Sequence, residues 1–418
     1  RKSLFWGGLL MIIGSIILAV SPKELFFTGI GFSIVGTGFF KPNISSMVGQ
    51  LYKDGDVRRD AGFSLFYAGI NLGALLGGYV CIAVANGTLW SGFVPENMRW
   101  NYAFGFAAVV MIISLLTFTQ TQKSLGEIGL SPLVTVEKSK RKIYEVLTYI
   151  GSLALIPIII LMVANTVYTD YFMMIIGPAS ILYLFYEMRN FSAVENKKLL
   201  AALVFIVFSI FFWAFYEQSG GSLSLFAANN LHNNLLGVEL DPNGVNNSSG
   251  ALFVIIFAGL LGVLWIWMAK KKIEPNTVVK FGLGFLFLAA GFWIFYYTKF
   301  FASPDGKTSL NLFTFGWFVI TFGELCLSPI GMSAMTKLSP QKLQAVIMGM
   351  WFLASAYGQY FAGLLGANIA EASENSSNLE KLNTYADGYE QLAIYALIAG
   401  ILLIIISPFV KKLMQDVR

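Results

Sequence analysis

The chain has 418 residues, of which 56% are hydrophobic, 15% aromatic and only 12% charged, with a formal net charge of +5. Soluble domains carry about 25% charged residues, so an ordinary soluble enzyme and a disordered protein are excluded. The 28 Lys and Arg are spread over loops and make no basic face for nucleic acid. With a single histidine, His232, neither a zinc site nor a Ser/His/Asp triad is expected, and Cys81 and Cys326, inside apolar runs, read as packing. The composition is that of an all-α polytopic membrane protein.

A membrane helix needs about 20 apolar residues. Windows nearly free of charge predict twelve spans, at 3–22, 25–52, 61–86, 100–122, 146–169, 171–186, 199–226, 250–269, 281–298, 308–336, 343–370 and 391–410. The apolar runs are continuous rather than alternating, which argues against a barrel, and none is followed by a signal-peptide cleavage site. The spans group as four, two and six. Residues 1–122 form an N-terminal bundle of four spans, and residues 123–198 hold a basic loop and a helical hairpin turning at 167–170. Residues 199–418 form a six-helix bundle. The loops 227–249 and 371–390, rich in Asn, Ser and Gly, are expected to be irregular.

Orientation follows from the distribution of basic residues. With Arg1 and Lys2 in the cytoplasm, cytoplasmic segments hold 22 of the 28 Lys and Arg, external segments hold five, and Lys41 lies within a span. Both termini are therefore expected inside.

Ionisable side chains within spans cost about 2.5–3.5 kcal/mol each at the helix centre and are usually functional. Three lie well inside: Lys41, Glu217 and Glu324. Counting the helical rise, Lys41 and Glu324 stand roughly 17 and 18 Å from the cytoplasmic ends of their spans. Matching depths on helices from the two halves fit a Lys41–Glu324 pair across a central cavity, either a gate that opens and closes or a static bridge. Glu217 belongs to the outer half, roughly 27 Å from the cytoplasmic side. It is expected to be a proton carrier, or to face a basic partner outside this chain, or both. The series Gly69, Gly73 and Gly77 would let a neighbouring backbone approach the third span, with Asn71 on the same helix as a buried amide in need of partners. Pro42, Pro157 and Pro329 would kink their spans. Trp351 and Ser355, four apart, share a helix face.

Five motifs resemble one family. Gly36-Thr-Gly-Phe-Phe-Lys41-Pro-Asn43 and Phe63-Ser-Leu-Phe-Tyr67-Ala-Gly-Ile-Asn71-Leu-Gly73 look like the paired signatures of the proton-dependent oligopeptide transporters. Phe212-Trp213-Ala-Phe-Tyr-Glu217-Gln218-Ser219-Gly220 resembles that family's seventh helix, Gly323-Glu324-Leu-Cys-Leu-Ser328-Pro329 its tenth and Gly349-Met-Trp351-Phe-Leu-Ala-Ser355 its eleventh. The resemblance implies the major facilitator fold, with the 146–186 hairpin as the helical pair that bacterial members insert between two six-helix halves. It places the first span at the family's third helix. Two helices carrying a Glu-x-x-Glu-Arg motif are then expected to precede Arg1, and the spans they would cover, 3–22 and 61–86, are expected to border an open groove with exposed polar atoms.

The resemblance further implies import of di- and tripeptides by proton-coupled symport, with alternating access and no cofactor beyond the coupling proton. A monomer in the inner membrane, in contact with lipid and not with nucleic acid, is the expected form. By matching position, Glu324 would bind the peptide's amino terminus, and Lys41 would pair with it and act in proton coupling. Glu217 would titrate and close the outer side, Asn71 would hydrogen-bond the peptide backbone, and Trp213, Trp351 and Ser355 would line the pocket. One departure stands out. Gly250-Ala251 occupy the place of the family's Asn-Pro, so an amide that would help hold the peptide's amine is missing, and restoring it as Gly250→Asn should tighten binding unless its bulk intrudes. The rival classes are a facilitator-type transporter of another zwitterionic or anionic solute, a membrane-embedded enzyme, for which no nucleophile–base pair or nucleotide loop is present, and a channel, for which there is no charged ring.

Overall fold

The computed structural model of the protein describes residues 1–53, 55–90, 92–131, 133, 136–371 and 376–417. Its helices, in chain order, are α1 (Lys2–Val20), α2 (Phe26–Gln50), α3 (Arg59–Ala85), α4 (Arg99–Thr121), α5 (Lys138–Ala164), α6 (Thr166–Glu187) and α7 (Ala193–Tyr216). A short α8 (Ser222–Asn230) and a two-residue hairpin, β1 (Asn234–Leu235) with β2 (Val238–Glu239), come next. The chain closes with α9 (Pro242–Lys270), α10 (Thr277–Tyr297), α11 (Leu310–Leu338), α12 (Gln344–Glu371) and α13 (Asn378–Met414). Each predicted span falls mainly on one long helix. Among the described residues, ten helices are long and apolar enough to cross a membrane by length and composition.

Four boundaries differ from the sequence reading, each for a local reason. The hairpin turns at Asn165 rather than 167–170, because the Asn165 side chain accepts from the Val167 amide and caps α6. The seventh span breaks after Tyr216 into a 3-10 turn, Glu217–Gly220, before α8. The loop 227–249 is largely ordered, since Asp241 caps α9 and Pro242 starts it at the favoured first position. Finally, α13 begins at Asn378 on a capping box of Ser377 and Glu380, well before residue 391. Most of 371–390 is therefore helical, while 372–375 lie outside the described residues.

The chain divides into two compact units. The first comprises residues 1–51, 76–189 and 341–349. Within it α1 lies against α2 so closely that a methyl on Gly7 would sit 2.6 Å from the Gly36 carbonyl oxygen, and one on Gly14 2.6 Å from that of Gly29. Trp6 of α1 donates to Ser152 of α5 at 2.9 Å. Around Pro42 the polar side chains bond back to their own helix: Asn43 to the Phe39 carbonyl, Ser45 to that of Lys41 and Ser46 to that of Pro42. Those side-chain donors are then satisfied within the helix.

The second unit comprises residues 52–75, 190–340 and 350–418. Here α10 packs on both α11 and α13, again through paired glycines. A methyl on Gly323 would meet the Gly284 carbonyl oxygen at 2.6 Å, and one on Gly400 would meet that of Gly282 at 3.0 Å. Phe205, Phe212, Phe281, Phe285, Phe292 and Phe295 fill the core between these helices. Close backbone approach with small residues is the packing mode expected of helices in lipid, where apolar burial gives no drive.

The Gly69, Gly73 and Gly77 series does not work this way. Among the described residues, no atom beyond the helix itself lies within 4 Å of a methyl built at any of the three. A small-residue stripe permits close approach without supplying a partner. The neighbouring residues, Leu72, Leu76, Tyr79 and Ile82, are exposed. The open face of α3 is thus mainly apolar, where exposed polar atoms were expected.

Candidate functional site

Glu324 stands in the middle of α11, in the second unit, with 4% of its surface exposed. Both oxygens of its carboxylate are engaged. Tyr67 of α3 donates to Oε1, and Tyr216, the last residue of α7, donates to Oε2. A carboxylate so far from water needs such donors, because an unsatisfied buried acceptor costs free energy.

The two phenols are themselves held. Tyr216 stacks on Phe212 with ring centroids 5.7 Å apart and meets Trp213 and Trp317 edge-on at 5.3 and 5.8 Å. Tyr67 lies one turn before Asn71, whose amide donates to the Tyr67 carbonyl at 3.1 Å. Gly250 of α9 faces the same point: a methyl built on it would stand 3.1 Å from the Tyr216 hydroxyl and 3.6 Å from the Trp317 ring.

Glu217, in the turn directly after Tyr216, is half-buried and accepts from Gln359 of α12 at 3.2 Å. Its carboxylate adds a second negative charge to the surroundings of Glu324. Trp213 is half-buried beside Tyr216. Trp351 is 2% exposed and packs on Gly331 of α11, with Phe281 at 6.0 Å between ring centroids. Ser355 follows one turn later on α12 and is half-buried. Seven residues were singled out from the sequence, and six of them, Asn71, Trp213, Glu217, Glu324, Trp351 and Ser355, lie in this unit. Lys41 lies in the other, exposed on α2 beside Pro42.

The structure adds groups that the sequence reading passed over. Tyr67 and Tyr216 sit inside the quoted motifs, but an uncharged phenol gives no signal against an aromatic-rich background. A second buried network was also missed. Asp60, at the start of α3, accepts from Lys280 of α10 at 3.0 Å and also from Lys337 and Ser333 of α11. Lys280 also binds Glu274 and lies over the Trp265 ring at 4.7 Å. Asp60, Lys280 and Lys337 each fall one residue outside a predicted span, which counted them with the loops. Extending each span by one turn would have exposed them as intramembrane charges.

No group of three or more His, Cys, Asp or Glu among the described residues is arranged to hold a metal ion. The arrangement instead offers a fixed anionic oxygen pair in an aromatic, water-poor setting, suited to an ammonium group. Ammonium hydrogens pair well with carboxylate and phenol oxygens, and low dielectric strengthens both contacts.

A family model described as the POT family matches residues 1–385. Peptide transporter YePEPT of Yersinia enterocolitica is 31% identical over the whole of this chain and 82% of its own length. A di-/tripeptide transporter of Lactococcus lactis is 30% identical, again over the whole of this chain and 82% of its own. Among solved structures, a peptide transporter POT in complex with sulfate aligns with a TM-score of 0.68 at 30% identity, covering 99% of this chain and 81% of that one. A POT family transporter in complex with 5-aminolevulinic acid aligns with a TM-score of 0.70 at 27% identity, covering 98% and 82%.

Proposed function

The chain belongs to the POT family, and we propose that this multi-pass membrane transporter imports di- and tripeptides together with protons, by alternating access. The observation that carries the reading is the buried Glu324 carboxylate held by Tyr67 and Tyr216. Small peptides of varied side chain share only their charged ends and their amide. A transporter that accepts many of them must read those features, and a preformed anionic site for the amine is one half of that requirement.

In this reading Glu324 takes the peptide's amino group and Asn71 bonds its backbone. Trp213 and Ser355 line the pocket, with Trp351 as the wall behind it. Glu217 carries the proton. Lys41 is assigned to a gate pair with Glu324, which rests on their matching depths in the sequence, and to proton coupling, which rests on the family resemblance. Placement in the inner membrane rests on the family, and the assignment of both termini to the cytoplasm rests on the 22-to-5 division of basic residues. The functional unit is taken as a monomer, the form the family resemblance implies.

The proton role is tested with Glu217→Gln. The amide keeps the shape of the side chain and an oxygen that accepts from Gln359, but it cannot titrate. Acid-stimulated uptake into proteoliposomes should be abolished, while equilibrium binding of a dipeptide persists in large part. Uptake that keeps its full dependence on an inward proton gradient would move the proton role to another residue. For substrate class, assorted dipeptides should compete with one another for uptake; failure to compete would favour another zwitterionic solute.

A further inference from the structure

Resting on the reading that Glu324 receives the peptide's amine, we infer that Tyr216 is a specificity-determining residue whose hydroxyl is the second acceptor for that amine, and that Gly250 is what makes room for it.

The case is geometric. The Tyr216 hydroxyl gives its hydrogen to Glu324 Oε2, so its oxygen lone pairs stay available beside the carboxylate. An ammonium bound on Oε2 lies within reach of that oxygen and has three hydrogens to place. Phe212, Trp213 and Trp317 surround the Tyr216 ring, so it cannot swing aside to admit a neighbour. The remaining direction is towards α9, where residue 250 has no side chain. A methyl there would already stand 3.1 Å from the hydroxyl, inside ordinary contact distance, and the ring of Trp317 closes the other side at 3.6 Å. A larger side chain at 250 and a phenol at 216 aimed at Glu324 compete for one volume. The amide that the family resemblance leads one to expect at position 250 is thus replaced in space by a hydroxyl from α7. The expected effect of Gly250→Asn accordingly changes sign, from tighter binding to weaker.

The test is equilibrium competition binding to the purified full-length protein with two ligands, Ala-Ala and its des-amino analogue N-propionyl-alanine. Tyr216→Phe should weaken Ala-Ala roughly tenfold or more, the effect of losing one hydrogen bond to a charged group, and leave the des-amino analogue nearly unchanged. Gly250→Asn should show the same selective loss. Gly250→Ala, whose methyl alone meets the hydroxyl, should show it in smaller measure. Combining Tyr216→Phe with Gly250→Asn should bind Ala-Ala more tightly than either single variant, because the amide enters the space that the hydroxyl has left. Residues in contact couple in this way, whereas general damage to the fold would add and would affect both ligands. Additive losses, equal losses for the two ligands, or tighter Ala-Ala binding by Gly250→Asn alone would each overturn the inference. If Glu324→Gln is selective for the amine and the Tyr216 and Gly250 variants are not, the amine reading stands and this one falls. If Glu324→Gln is not selective, both fall.

Discussion

Glu324→Gln is expected to weaken dipeptide binding by roughly 10- to 150-fold, the loss that follows when a hydrogen bond to a charged group is removed. The glutamine matches the carboxylate in shape and can accept from one of the two tyrosines. Its amide nitrogen, however, faces the other phenol as a donor, so that hydroxyl must turn away. The protein then presents a neutral, half-donating group where it had two anionic acceptors. A peptide amine loses its counter-charge in a setting of low dielectric, whereas an analogue without the amine loses almost nothing. Competition binding with a dipeptide and its des-amino analogue measures the difference directly. Equal losses for the two would remove the amine from Glu324 and, with it, the main support for a peptide substrate.

The second large effect is expected at Asp60. Asp60, Glu274, Lys280 and Lys337 together carry no net charge, and Lys280 is only 2% exposed. Asp60→Asn leaves the group with one uncompensated positive charge next to a lysine shut away from water. Breaking a buried ion pair from one side costs about 3–5 kcal/mol, so the melting temperature of the solubilised protein should fall by many degrees. Neutralising Lys337 as well, with Lys337→Met, restores the balance of charge and should recover part of the loss. That partial recovery separates an electrostatic origin from simple damage at the start of α3. An unchanged melting temperature in Asp60→Asn would show that the four charges are compensated from elsewhere.

The helices were legible because apolar runs of membrane length have no other stable form, and the three charges well inside them stood out against that background. Charges at span margins did not. Asp60, Lys280 and Lys337 are each one residue from a boundary, and hydropathy places boundaries no better than that. Partner identity was equally out of reach. Depth in the sequence suggested a charged partner for Glu324, but it gave no sign that phenols from α3 and α7 engage both Glu324 oxygens. Phenols carry no charge, and no spacing rule connects residues 67, 216 and 324. The glycines make the same point from another side. Among the described residues, the regular series on α3 has no neighbour within 4 Å of a built side chain, whereas the irregular pairs Gly7–Gly36 and Gly284–Gly323 bring backbones together. Pattern shows where close approach is possible, and only the partner helix decides where it happens.

The length of α13 bears on how one end of the second unit is held together. Its 37 residues extend about 55 Å, against roughly 30 Å of hydrocarbon. The first fourteen, from Asn378 to Gln391, are largely polar and form a post whose Leu382, Tyr385, Ala386 and Tyr389 are buried against the rest of the unit. Asn230, the last residue of α8, donates to the Asn378 and Gly306 carbonyls, both at 2.8 Å. Lys299 binds Asp387 of the post at 2.7 Å. Gly306 itself adopts φ +77, and a side chain there would strike the Asn378 backbone at 2.5 Å. Three segments far apart in sequence are thus riveted at one end of the bundle. These ties couple the end of α8, the segment 299–306 and the start of α13, so these three parts of the second unit are held to one another as a single piece.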